Sequence, residues 1–334
     1  MTVLVTGGAG FLGSHITSLL VARGERPRVL VLPDEELRMV AESDVDICRG
    51  DVTEPSVVEN AVRGVERVIN CAARTGPWGR QSEYSATNVE ALESLIGAAM
   101  AANVERVVHV SSITVHGNDV HGYADETAPF KDEPNPYSRS KIAGERLIMR
   151  LVEDSGARVT MVRPGWIYGP GDKASFGRLV ERVERNRMLM VGPGSNHLPL
   201  IYVSDAAEGA VRASESGEDG KAYLLVNDEA VSQREFLAAI ASELGVGTPE
   251  KRIPYRVALF VGASAEYAAR LAKSSNPPPV MRYGLQLLGG ENRFIISRAR
   301  RELGFSPQIG YVEGVKMGVD WYRSDIHTRA TQQA

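Results

Sequence analysis

Up to about Arg163, short apolar runs alternate with longer stretches in which apolar residues recur every three or four positions. The runs TVLVT, RVLVL, RVINCAA, RVVHVSS and RVTMVRP are rich in β-branched residues and nearly continuous in apolar character. Between them, residues 10–23, SVVENAV, residues 88–102 and the stretch opening at Tyr137 carry the helical period. Strands alternating with helices need crossover connections, so they predict a parallel sheet with helices on both faces. Such strands have no solvent side, which explains why apolar/polar alternation is missing from them. The predicted fold class is α/β, a doubly wound parallel sheet of the Rossmann kind with a smaller, interleaved C-terminal lobe.

Beyond Pro164 the rhythm loosens. IYGPGD and VGPGSNHLPL are Gly/Pro-rich loops, and the alternation returns only in PLIYVSDAAEGAVRA and AYLLVN. SQREFLAAIASELG opens on a capping-box pattern, Ser232 followed by Glu235, and stops at Gly245. SRARRELG reads as another short helix ended by a glycine. The expected division is a dinucleotide-binding domain over 1–165 with returning elements near 200–228. The substrate lobe takes 166–200 and 229–325.

Composition narrows the function classes. A net charge of −4 gives no basic footprint for nucleic acid. Cys48 and Cys71 alone make neither a disulfide framework nor a metal site, which predicts a reducing compartment and no metal. A first strand starting near residue 1 leaves no room for a signal peptide, and no run approaches the roughly 20 apolar residues of a membrane span. A cytoplasmic protein without membrane association is expected. The apolar stretch RVALFVGASAEYAARL, interrupted by Glu266, reads as an ordinary lobe helix; the alternative is a membrane-facing entrance.

Gly7, Gly10 and Gly13 lie between the first strand and the first helix, in VLVTGGAGFLGSHI. The first glycine permits a sharp turn, the second lets a pyrophosphate approach the backbone, and the third allows tight helix–strand contact. At the end of the second strand Leu32 offers nothing to a 2′-phosphate, so NAD is preferred, with NADP the alternative. Asp51, after the third strand, could take a hydrogen bond from the adenine or cap a helix.

Serine in HVSSITVHG follows a strand that should end at the carboxyl edge, where open α/β sheets bind ligands. Tyr137 and Lys141 share a helix face at i and i+4. Singly, they read as a packed aromatic and a solvated charge. Together with Ser112 they could form a proton relay, in which the ammonium lowers the phenol's pKa from its usual value near 10.

TGGAGFLG, GDV, NCAA, VSSITVHG, YSRSK and RPGWIYGPGD, in this order, resemble the signatures of the extended short-chain dehydrogenases/reductases. The resemblance implies an NAD-dependent oxidoreductase with Ser112, Tyr137 and Lys141 as the catalytic set. It places Gly7, Gly10, Phe11, Leu12, Gly13, Asp51, Val52, Ala72, Ala73, Tyr137, Lys141 and Pro164 along the cofactor. It also suggests a homodimer built on the helices starting near Asn88 and Tyr137, a suggestion that light scattering reporting a monomer at micromolar concentration would remove.

Within that family, sugar dehydratases follow the serine or threonine with acidic residues, where this chain has Ile113 and Thr114. Nucleotide-sugar epimerases usually show an asparagine where Trp166 stands, and an arginine clamp where the chain reads HLPLIYV with Leu198 and Pro199. Arg178 or Arg252 could supply the missing charge. The tail from Pro277 and the TGPWG segment resemble 3β-hydroxysteroid dehydrogenases, sterol 4α-carboxylate 3-dehydrogenases and 2-alkyl-3-oxoalkanoate reductases. That likeness suggests a small hydrophobic substrate, steroid-like or fatty, held at Ser112, Trp78 and Trp166, with a 3-hydroxy or 3-oxo group. A 4-epimerase using the same triad and a catalytically silent cofactor-binding scaffold are the competing readings.

Overall fold

The computed structural model describes residues 2–37 and 39–332, and of residues 326–332 the backbone only. The strands, in chain order, are β1 (Val3–Thr6), β2 (Arg28–Val31), β3 (Asp46–Arg49), β4 (Arg67–Asn70) and β5 (Arg106–Val110). They continue with β6 (Gly122–Ala124), β7 (Val159–Pro164), β8 (Trp166–Tyr168), β9 (Met190–Val191), β10 (Leu200–Tyr202), β11 (Ala222–Leu225), β12 (Arg252–Ile253) and β13 (Asn292–Phe294). The helices of the first half are α1 (Phe11–Ala22), α2 (Pro55–Ala61), α3 (Gln81–Ser85), α4 (Ala91–Ala101) and α5 (Pro136–Ser155). Those of the second half are α6 (Phe176–Glu184), α7 (Val203–Ser216), α8 (Gln233–Leu244), α9 (Tyr255–Leu271), α10 (Arg282–Gly289), α11 (Ser297–Leu303) and α12 (Tyr311–Gln332).

Seven strands form one parallel sheet in the order β11-β7-β5-β4-β1-β2-β3. The order reverses between β1 and β4, and an open α/β sheet has its crevice at such a reversal. Residues of β1 alternate between two cores. Val3 and Val5 face one core with Tyr168, Phe176 and Phe236 of the C-terminal half, while Leu4 faces the other with Val68, Val107 and Val159. Shared packing on the first face is what ties the lobe to the sheet.

Helix α7 packs on α1, and β11 closes the sheet beyond β7. Ser232 and Glu235 form the capping box of α8, and Gly245 and Gly304 end α8 and α11 in the left-handed region. The expected helix over 88–102 begins earlier, at Gln81, and carries a π turn over Ala86–Glu90 before α4. Strand pairs β8–β10, β9–β12 and β6–β13 lie outside the main sheet and are too short to show a period in sequence.

Helix α9 leaves Val257, Phe260, Val261, Tyr267 and Leu271 exposed, Phe260 by 72%. Glu266, on its inward side, is buried and accepts from the Arg282 amide (2.7 Å) and guanidinium (Nη2, 2.7 Å), capping α10. Among the described residues no helix is long and apolar enough to cross a membrane.

Candidate active site

The glycine loop lies at the reversal. Gly7 has φ +63°, and a Cβ there would come within 2.9 Å of the Ala72 amide nitrogen, so loop and β4 end touch through backbone. A Cβ on Gly13 would sit 2.2 Å from the Gly7 carbonyl oxygen. On Gly10 it would meet only that carbonyl, at 3.1 Å, and the outer side of the loop stays open. Gly10 caps α1 without a side chain, and no acidic residue occupies the first turn. The helix therefore offers unpaired N–H groups and its positive end to an anion, as a dinucleotide's pyrophosphate requires. Phe11 and Leu12 contribute backbone here: the Phe11 ring packs edge-on against His15 and Leu12 is in the core.

Farther along the edge, Asp51 Oδ1 accepts from the Thr53 amide and hydroxyl, both at 2.8 Å, in the turn ahead of α2, whose cap position is Glu54 and not Asp51. Val52 is buried in the core beneath it. The Ala72 amide donates to Thr6 Oγ1, and Ala73 is half-buried beside it. Leu32 is exposed at the end of β2. Register pairs Val31 with Arg49, a cation that sequence reading missed at this place. Its guanidinium donates to the carbonyls of Pro33 and Glu35 and pairs with Glu42, so its donors are tied to the chain.

Helix α5 carries Tyr137 and Lys141. Asn135 caps it by accepting from the Ser138 amide (2.8 Å), and Pro136 starts the first turn. This orientation buries Lys141, which is 2% exposed, and its Nζ donates to the Val110 carbonyl (2.7 Å). Its charge acts on Cys71 after β4 and lies 5.9 Å from the centre of the Tyr137 ring. Gly7, Cys71, Lys141, Tyr137 and Ser112 thus follow one another along the carboxyl edge. Ser112 caps the turn Ile113–His116, accepting from the Thr114 amide, and its side chain interacts with the Tyr137 hydroxyl.

The electrostatics differ from the sequence expectation. Burial pushes the Tyr137 phenol up to about 12, and the Ser112 interaction opposes this only partly. Burial also brings Lys141 down to about 8, with Cys71 and Glu145 acting against it. Both shifts disfavour the charged form, because burial takes solvation from Lys141 fully and from the half-buried Tyr137 in part. Without cofactor, then, the ammonium does not make Tyr137 acidic; the phenol holds its proton.

Two further residues, read in the sequence only as helix, support this constellation. Asn88, in the π turn, donates to the Arg74 carbonyl (3.0 Å) and Ser140 (2.8 Å) and accepts from the Arg74 amide. It ties the segment after β4 to α5. Glu145, fully buried, accepts from Ser111 and from Arg163 Nε and Nη2, joining α5 to β5 and β7. Neither contact is visible in the local pattern.

Pro164 ends β7 at the same edge, buried opposite Leu225. Trp78 donates from Nε1 to the Ser274 carbonyl, with Arg270 over its ring, so it bridges to the lobe at α9. Trp166 stacks edge-on against Phe236, and its Nε1 is buried without a protein partner. Its ring packs onto the shared core.

Residues 3–227 match the NAD dependent epimerase/dehydratase family. The chain belongs to that family. It is 32% identical over 325 residues to a 2-alkyl-3-oxoalkanoate reductase of Stenotrophomonas maltophilia, covering 95% of this chain and 98% of the relative. A 3 beta-hydroxysteroid dehydrogenase/Delta 5→4-isomerase of Mycobacterium tuberculosis is 30% identical over 323 residues, covering 91% and 86%. Among solved structures, gox2253 superposes with TM-score 0.82 at 27% identity, covering 97% of this chain and 98% of that one. UDP-glucose 4-epimerase of Thermotoga maritima, at TM-score 0.78 and 19% identity over 98% of this chain and all of that one, shares the fold. This member of the NAD-dependent family thus has relatives that are enzymes of dehydrogenase and reductase type, and its family's cofactor is NAD, as expected from sequence.

Proposed function

We propose that this family member reduces the ketone of a hydrophobic 3-oxo substrate, fatty or steroid-like, to the secondary alcohol. NADH, held at the N–H groups that open α1, would supply the hydride. Ser112 donates a hydrogen bond to the substrate oxygen, and Tyr137 gives it a proton as the alcohol forms. The observation that carries this reading is the placement of the Tyr137 phenol against Ser112, with the buried Lys141 ammonium 5.9 Å from its ring centre. A phenol pushed up to about 12 beside Ser112 is a proton donor at neutral pH, the role a ketone reduction needs. Lys141 serves as the buried positioning group behind it, and the N–H groups opening α1 hold the pyrophosphate.

An apolar rim supports a hydrophobic substrate. The exposed face of α9 adjoins Trp78 through Arg270, and α10 packs on the same helix. The two positions that would carry an epimerase's polar clamp are apolar, with Leu198 buried, and Arg178 and Arg252 are both exposed. We read the protein as a cytoplasmic homodimer joined through α4 and α5, whose outer faces expose Met100 and Met149.

Incubation of purified protein with NADH and a hydrophobic 3-oxo compound tests the activity. NADH should be consumed in step with 3-hydroxy product. Epimerisation of a UDP-sugar with no net change in NADH would establish the 4-epimerase reading in its place.

A further inference from the structure

Ser112 opens a turn that a buried ion pair holds at both ends. Just before it, Ser111 is buried, and its hydroxyl donates to Glu145 Oε1 (2.5 Å). Arg163, in β7, donates to the same carboxylate from Nε (2.9 Å) and Nη2 (2.6 Å). Its remaining nitrogen, Nη1, reaches to the far end of the turn and lies 3.0 Å from His116 Nε2. A guanidinium can only donate, so His116 is the acceptor there. Nη1 also donates to the Glu126 carbonyl (3.0 Å), in the segment that leads from the turn toward α5.

Burial makes this link stiff. Glu145 and Arg163 are both buried, so neither finds water as a substitute partner. The Ser111 amide donates to the carbonyl of Val162 (2.8 Å), next to Arg163, which anchors the same residue to β7 through backbone. Ser112 is extended, with φ −165° and ψ 153°, and successive side chains of an extended chain point to opposite sides. A Ser111 hydroxyl fixed on Glu145 therefore fixes the direction in which Ser112 projects. Helix α5 thus grips three consecutive residues: Lys141 the Val110 carbonyl, Glu145 the Ser111 hydroxyl and Tyr137 the Ser112 hydroxyl.

We propose that Ser111, Glu145 and Arg163 form a positioning device for Ser112, which sets its hydroxyl where the substrate oxygen and Tyr137 both need it. The three act through Ser112 and not on the reacting atoms. This inference rests on the ketone-reduction reading for the role of Ser112, and it extends the site inward to β7.

Ser111→Ala removes one hydroxyl and leaves Glu145 paired with Arg163, so no buried charge loses its counterion. With NADH and a hydrophobic 3-oxo compound the variant should lose about 10-fold in kcat at an unchanged KM. In a Ser112→Ala background the same substitution should cost nothing further, because the residue it acts through is already gone. A wild-type kcat, a loss carried by KM, or an undiminished loss in the Ser112→Ala background would each overturn the proposal. Hydrogen exchange reads the positioning without turnover. The Thr114 amide donates to Ser112 Oγ (3.3 Å), and Ser111→Ala should speed its exchange about 10-fold while the amides of α1 exchange as in the wild type. Unchanged exchange at Thr114 also overturns the proposal. Failure of the ketone-reduction reading shows differently, as a wild-type protein that reduces no 3-oxo compound although its Thr114 amide responds to Ser111→Ala.

Discussion

Tyr137→Phe should lower kcat for ketone reduction by about 10²–10⁴-fold, with a KM near that of the wild type. The phenol's hydroxyl interacts with Ser112 and the ring that carries it is half-buried, so its loss leaves the packing of α5 intact. Denaturation midpoints should therefore match those of the wild type. Binding of NADH should also persist, because the glycine loop and α1 are untouched. A variant that keeps full activity would remove Tyr137 from the chemistry and leave Ser112 and Lys141 without a proton donor between them.

Lys141→Met should abolish most of the activity and yet stabilise the cofactor-free protein at pH 7. The folded state holds the amine at about 8 against 10.5 for a free lysine, a displacement corresponding to about 3 kcal/mol of penalty on the charged form. Losing the bond to the Val110 carbonyl returns about 1 kcal/mol, which leaves a net gain of about 2 kcal/mol. The sign with pH follows from the lowered pKa. Below about 8 both states carry the proton and the penalty is full. Between about 8 and 10.5 the unfolded chain binds more protons than the folded one, so wild-type stability rises with pH. The advantage of Lys141→Met over the wild type should shrink through that window. Urea denaturation at pH 7 and pH 10 measures it, and a variant less stable than the wild type at pH 7 would contradict the account.

The parts of this architecture encoded locally were legible in the sequence. Glycines 7, 10 and 13 announce a turn whose closeness to Ala72 and to the loop's own carbonyl excludes a side chain. Ser232 with Glu235 and the glycines at 245 and 304 announce helix ends. Tyr137 and Lys141 declare their pairing because one helical turn separates them. Other features depend on residues far apart in the chain, and no local pattern carries them. Glu266 read as an interruption of an apolar stretch, and in the fold it is the cap of α10. Tyr283 carried no signal at all, since only the docking of the lobe brings it to Tyr137. Arg49 became visible beside Leu32 only through the register of β2 with β3.

The pKa expectation failed for a related reason. Spacing shows that an ammonium is one turn from a phenol, but it does not show how much water either retains. Here burial outweighs the neighbouring groups at each residue, and each moves toward its neutral form.

Direct titration of Tyr137 gives the sharpest test. With ¹³Cζ-labelled tyrosine, the resonance lost in Tyr137→Phe identifies the group, and its shift can be followed with pH in the cofactor-free protein. A proton held to about pH 12 is the expected result, well above the ordinary phenol. A midpoint below 10 would show that the ammonium governs the ring after all, and it would contradict the claim that Tyr137 enters the reaction as an acid.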